Sequence, residues 1–97
     1  MGYQVLTGIY EEISDERAEQ DKQWGVQRHS PVPWVSILVE EIGKAAQAAN
    51  KLQTLFGRGP EYGEEIERRE KAYRRRLITA AAVAIAAIES FDAGARS

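Results

Sequence analysis

The sequence predicts an all-α fold on three observations. Apolar residues recur at spacings of three and four in three separate segments. Two stretches rich in glycine and proline divide those segments. The last segment carries a run from Ala80 to Ala87 rich in alanine, the residue of highest helix propensity. The expected architecture is a three-helix chain whose second and third helices form an antiparallel hairpin. A chain of 97 residues makes one domain, here an ordered core of about 4–92 and a polar tail over 93–97. Three helices of this length bury only a thin core, so assembly into a dimeric or tetrameric bundle is expected.

The first helix is placed at about Gln4 to Gln23. Val5, Leu6, Ile9, Tyr10 and Ile13 form its apolar stripe. Beyond Ile13 the same side turns polar, through Arg17, Gln20 and Asp21 to Trp24. A regular helix whose inward side becomes polar is either leaving the core or lining a site. Gly25 suits its end. Residues 26–33 read as an ordered loop, because Pro31 and Pro33 cannot sit inside a helix. Pro33 is then the opening of the second helix.

The second helix is placed at about Trp34 to Phe56, ending at Gly57. Trp34, Ile37, Leu38, Glu41, Ala45, Ala48, Leu52 and Leu55 share one stripe. Residues 57–63 form a turn by composition. The third helix is placed at about Glu64 to Asp92, with Ile66, Tyr73, Leu77, Ala80, Ala81, Ala84, Ile88 and Phe91 as its stripe. Its run from Ala80 to Ala87 is either a close-packing face, between subunits, or simply a strong helix former. The short linker predicts antiparallel neighbours.

Composition narrows the function. Cysteine is absent, which excludes disulfides, zinc–thiolate sites and thiol catalysis. A net charge of −2 offers no bulk attraction to nucleic acid. The cluster of Arg68, Arg69, Lys71, Arg74, Arg75 and Arg76 is interleaved with Glu64, Glu65, Glu67 and Glu70, the pattern of a solvated face of mixed charge. No signal peptide is evident, and Leu6 stands where a myristoylation signal after Gly2 wants serine or threonine. The longest apolar stretch, Leu77 to Ile88, is shorter than a bilayer requires. The expectation is a cytoplasmic protein with no nucleic-acid or membrane partner.

Two constellations carry chemistry. Glu40 and Glu41 lie on the second helix, about 100° apart around its axis, with Glu41 along the apolar seam. A buried carboxylate needs a cation or donor, and both a basic side chain and a divalent metal meet that need. The second constellation spans residues 20–29. It places Gln20, Trp24, Gln27 and His29 around a break, where a ring and two amides can stack on a base and bond its edges. The same residues also suit a loop held over a buried Trp24 by its own polar side chains. One histidine excludes a histidine-rich metal site.

Three segments resemble a MazG-like family of nucleoside triphosphate pyrophosphohydrolases, in its phage and mobile-element branch. They are residues 16–29 (ERAEQDKQWGVQRH), 34–43 (WVSILVEEIG) and 77–90 (LITAAAVAIAAIES). The resemblance implies an all-helical, oligomeric fold like that of dimeric dUTPases. It also implies magnesium-dependent cleavage of nucleoside triphosphates to monophosphate and pyrophosphate. In the family the metal is held by a Glu-x-x-Glu motif on one helix and a Glu-x-x-Asp motif on the next, since magnesium takes oxygen ligands and bridges phosphates.

Carried onto this sequence, the first motif falls on Glu41-Ile42-Gly43-Lys44 and the second on Arg76-Leu77-Ile78-Thr79. Glu41 is retained as the catalytic and metal-binding acid, with Glu40, Glu67 or Glu70 as possible further carboxylates. Lys44 and Arg76 replace two ligands, and Thr79 stands where an acid would be. Cations do not ligate magnesium. Two expectations follow. One is a house-cleaning pyrophosphohydrolase with impaired metal binding at Glu40 and Glu41, contacting its nucleotide through Gln20, Trp24, Gln27 and His29. The other is a non-catalytic descendant that serves as an oligomeric interaction module or binds nucleotide phosphates through Lys44 and Arg76. The replacements themselves carry a further expectation: Lys44 and Arg76 face Glu41 and neutralise it, an ion-pair cluster in place of the magnesium site.

Overall fold

A computed structural model describes the backbone of residues 3–96 and the side chains of residues 7–96. The expected contributions of Val5 and Leu6 lie outside the described side chains, as do Met1 and Gly2. The described chain is all-helical, with three α-helices: α1 (Tyr3–Trp24), α2 (Pro31–Gln53) and α3 (Gly63–Asp92). A single 3₁₀ turn, Pro60–Tyr62, leads into α3.

Glycine ends two of the helices as the sequence signals. Gly25 adopts φ 75°, and its N–H donates to the Asp21 carbonyl at 2.8 Å. A side chain at this left-handed position is strained, which is why glycine stops the helix there. Gly94, at φ 96°, closes α3. Its N–H donates to the Phe91 carbonyl and that of Ala95 to the Ser90 carbonyl, the paired bonds of a Schellman cap. Residues 93–96 therefore cap the helix, and Arg96 lies over the Phe91 ring at 3.5 Å.

The start of α2 differs from expectation. The helix opens at Pro31, with Ser30 before it in extended conformation, and not at Pro33 or Trp34. Both prolines fit because they occupy the first turn, where backbone N–H groups have no helical partner to lose. At its far end α2 stops at Gln53, and tighter turns carry the chain to Gly57.

The core is small and centres on Trp34, buried with Val83 and Ala86 and flanked by Ile37, Leu38 and Ala87. Every residue of the expected α2 stripe is buried or half-buried. The α3 stripe is rotated from expectation. Ile78, Ala80, Ala82, Val83, Ala86 and Ser90 are buried, whereas Leu77, Ile88 and Phe91 are exposed. Over residues 80–87 the helix is alanine-rich and apolar on every side, so the sequence there does not say which side faces inward. Packing against Trp34 decides it.

Among the described residues α1 packs on α3 and makes no comparable contact with α2. None of its described side chains is buried. Charge pairs join it to α3 instead: Glu12 accepts from both terminal nitrogens of Arg74, Glu16 pairs with Arg75 at 2.7 Å, and Arg17 pairs with Glu89 at 2.8 Å. Each of these pairs has at least one exposed partner, so each contributes little and is screened by salt. The α1 amides should therefore lose hydrogen-exchange protection before those of α2 and α3 as sodium chloride is raised.

Acid should act in the same direction. The hydrogen bond from Arg74 holds the Glu12 carboxyl below its ordinary range. The contribution of that pair is complete above the ordinary glutamate pKa and is lost as pH falls through the lowered value. Uniform protection across the three helices at high salt would contradict this account.

Candidate functional site

Because α1 and α2 flank α3 without meeting, a cleft remains between them. It forms an open cavity of about 370 Å³. Gln20 and Trp24 come from the last turns of α1, Gln27 from the following loop, Glu41 and Lys44 from α2, and Arg76 and Thr79 from α3. Six of the residues singled out in the sequence thus share one cavity: Gln20, Trp24, Gln27, Glu41, Lys44 and Arg76. Trp24 is 65% exposed and covers no core.

Four candidates do not reach the cavity. Glu40 is exposed and does not line it, because one residue along a helix is a turn of about 100° away from Glu41. His29 stands behind the wall. Its ring meets Trp34 edge-on at 5.0 Å, and its Nε2 lies 2.9 Å from Gln27 Oε1. The His29 carbonyl accepts from Ser90 Oγ at 2.9 Å, which ties the loop to α3. Glu67 and Glu70 do not line the cavity either, and Glu67 pairs with Lys71 at 3.3 Å.

The electrostatics are dominated by neutralised acids. Lys44 Nζ donates to Glu41 Oε1 at 3.1 Å. Glu41 Oε2 is buried with no hydrogen-bond partner among the described residues. The expected pair between Glu41 and Arg76 is not formed. Arg76 is exposed and lines the cavity, yet no carboxylate pairs with it among the described residues. Its neighbours differ: Arg74 and Arg75 are drawn to Glu12 and Glu16 of α1, while Arg68 and Arg69 share Glu65.

Glu16, Arg17, Asp21 and Gln23 complete the α1 wall. Burial alone would favour loss of the Arg17 proton. Hydrogen bonds to Glu89 and Asp21 outweigh that effect and hold the guanidinium charged beyond its ordinary range. The polar turn of α1 signalled Arg17 and Asp21 as lining residues. Nothing local in the sequence marked Glu16, whose position follows from α1 lying against Arg75.

These side chains do not suit a divalent ion. Magnesium needs several oxygen ligands converging on one point. Glu41 already holds an ammonium, Glu16 and Asp21 hold guanidinium groups, and Thr79 Oγ1 donates to the Arg75 carbonyl. Among the described residues no three acid or imidazole side chains stand close enough to share an ion. What the cavity offers is cationic groups beside an exposed indole and the three amides of Gln20, Gln23 and Gln27. Among the described residues no helix is long and apolar enough to cross a membrane. The chain matches no family model, no curated protein and no solved structure.

Proposed function

We propose that the chain is a MazG-like helical module that binds the phosphates of a nucleotide through Lys44 and Arg76 without resident magnesium. The observation that carries this reading is Arg76, a guanidinium on the cavity wall with no carboxylate partner among the described residues. Guanidinium groups bind phosphate oxygens through paired donors, and an ammonium adds a point charge. Trp24, Gln20 and Gln27 stand at the other side of the cavity to receive the base.

The supporting fold is an antiparallel α2–α3 hairpin. Trp34 near the start of α2 packs on Val83 and Ala86 late in α3, and Ser90 bonds to the loop before α2. In this reading the hairpin pairs with a second copy as a homodimer or homotetramer. Val35, Val39 and Ile42 on α2 and Ile85 and Ile88 on α3 leave apolar surface exposed, which favours that assembly.

A second reading, the pyrophosphohydrolase activity of the family with Glu41 as its retained acid, is favoured by one observation. The buried Glu41 Oε2 lacks a partner among the described residues, as an acid held for chemistry would. Thermal unfolding in the presence of inorganic tripolyphosphate or nucleoside triphosphates, with and without magnesium, separates the two. Stabilisation that needs no magnesium, without pyrophosphate release, is the expected result. Magnesium-dependent pyrophosphate release that disappears in Glu41→Ala would select the hydrolase instead.

A further inference from the structure

The charged side chains lining the cavity balance: Glu16, Asp21 and Glu41 stand against Arg17, Lys44 and Arg76. A wall of no net charge gives a polyanion little attraction, however well one guanidinium is placed. The three acids are held differently. Asp21 pairs with Arg17, one turn before it on α1, and Glu41 with Lys44, one turn after it on α2. Each of those two is matched by a cation of the same helix and the same cavity. Among the three, only Glu16 pairs across helices, and its cation, Arg75, does not line the cavity. Glu16 lies between two spaces, since it also lines a groove between α1 and α3 that Arg75 shares. Its side chain is 10% exposed, whereas that of Arg75 is 64% exposed.

We infer that Glu16 is an internal competitor at the phosphate site: its carboxylate occupies Arg75, and a polyphosphate that displaces it gains Arg75 beside Arg76. The inference rests on the phosphate reading above. Arg75 and Arg76 are consecutive on α3, about 100° apart around its axis. Glu16 stands between the groove of the one and the cavity of the other. A carboxylate and a phosphate offer a guanidinium the same kind of paired acceptors, so one can take the place of the other. An ion pair with one exposed partner costs little to break, and the exposed Arg75 guanidinium has room to turn. Moving Glu16 off the wall and Arg75 onto it converts a neutral cavity into a positively charged one. Glu16 touches no ligand in this scheme. It sets how much of the α3 charge a ligand meets.

Calorimetric titration of the full chain with inorganic tripolyphosphate tests the inference. Glu16→Gln keeps the size of the side chain and removes its charge. It should bind tripolyphosphate about tenfold tighter, the lower range for one charge-assisted hydrogen bond gained. Arg75→Gln added to Glu16→Gln should cancel that gain. Glu12→Gln is the control: it removes an α1 acid that pairs with Arg74 outside the cavity. It should leave the affinity within about twofold. An equal gain in Glu12→Gln, or a gain that survives loss of Arg75, reduces the effect to net charge and overturns the inference. Unchanged or weaker binding by Glu16→Gln also overturns it, because Glu16 then only holds α1 in place. The phosphate site still stands in that case if Arg76→Ala weakens binding. Failure of both the parent chain and Glu16→Gln to bind tripolyphosphate overturns the phosphate reading as well.

Discussion

Trp34→Ala is expected to destabilise the protein by about 3–5 kcal/mol, the range for truncating a large buried aromatic. Trp34 is the centre of the small core, 6% exposed and packed with Val83 and Ala86. Those neighbours are short and cannot close the void. Small domains are stable by only about 5–15 kcal/mol in total, so the variant should approach loss of the folded state at ambient temperature. Urea unfolding followed by far-UV circular dichroism measures the shift in midpoint. Trp34→Phe, which retains most of the volume, should recover a large part of it. Trp24→Ala is the control. The exposed indole of Trp24 supports no core, so that change should leave the midpoint within about 0.5 kcal/mol. Equal effects of the two tryptophan truncations would mean that the core is misassigned.

Arg76→Ala is expected to weaken tripolyphosphate binding about 10- to 100-fold, as a lost charge-assisted hydrogen bond of about 1.5–3 kcal/mol requires. The fold should be little affected, because Arg76 is exposed and has no ion-pair partner among the described residues. Arg69→Ala is the matched control: it removes the same charge from the same helix, at a guanidinium already held by Glu65 and outside the cavity. Calorimetry on both variants distinguishes a local phosphate contact from a general loss of positive charge. If Arg69→Ala weakens binding as much as Arg76→Ala, the phosphate is not held at the cavity. Lys44→Met is expected to be milder at the ligand, because the Lys44 ammonium is shared with Glu41.

Much of the architecture was legible before any coordinates. The α2 stripe from Trp34 to Leu55 is buried or half-buried throughout, because large apolar residues at helical spacing leave one possible inward side. Gly25 stops α1 as its lack of a side chain dictates. The polar turn at Arg17, Gln20 and Asp21 marked the place where α1 leaves apolar contact and becomes a wall. α2 starts about a turn before the position its prolines suggest, because prolines that break a helix interior are welcome in its first turn. The phase of α3 was not legible. Leu77, Ile88 and Phe91 were expected inside and lie outside, since alanines surround the axis and blur the stripe.

The sequence by itself determined that the chain is helical, where its breaks fall, and where the inward side of α1 turns polar. Those properties are local, and they follow from periodicity, capping and turn chemistry within a few residues. Only the tertiary structure decided which charges are free. Lys44 is committed to Glu41, Arg74 and Arg75 are committed to α1, and Arg76 alone of that run faces the cavity with no carboxylate partner among the described residues. Pairing across helices depends on their relative rotation and on how far each side chain must reach. Neither quantity is contained in the spacing of residues along one helix.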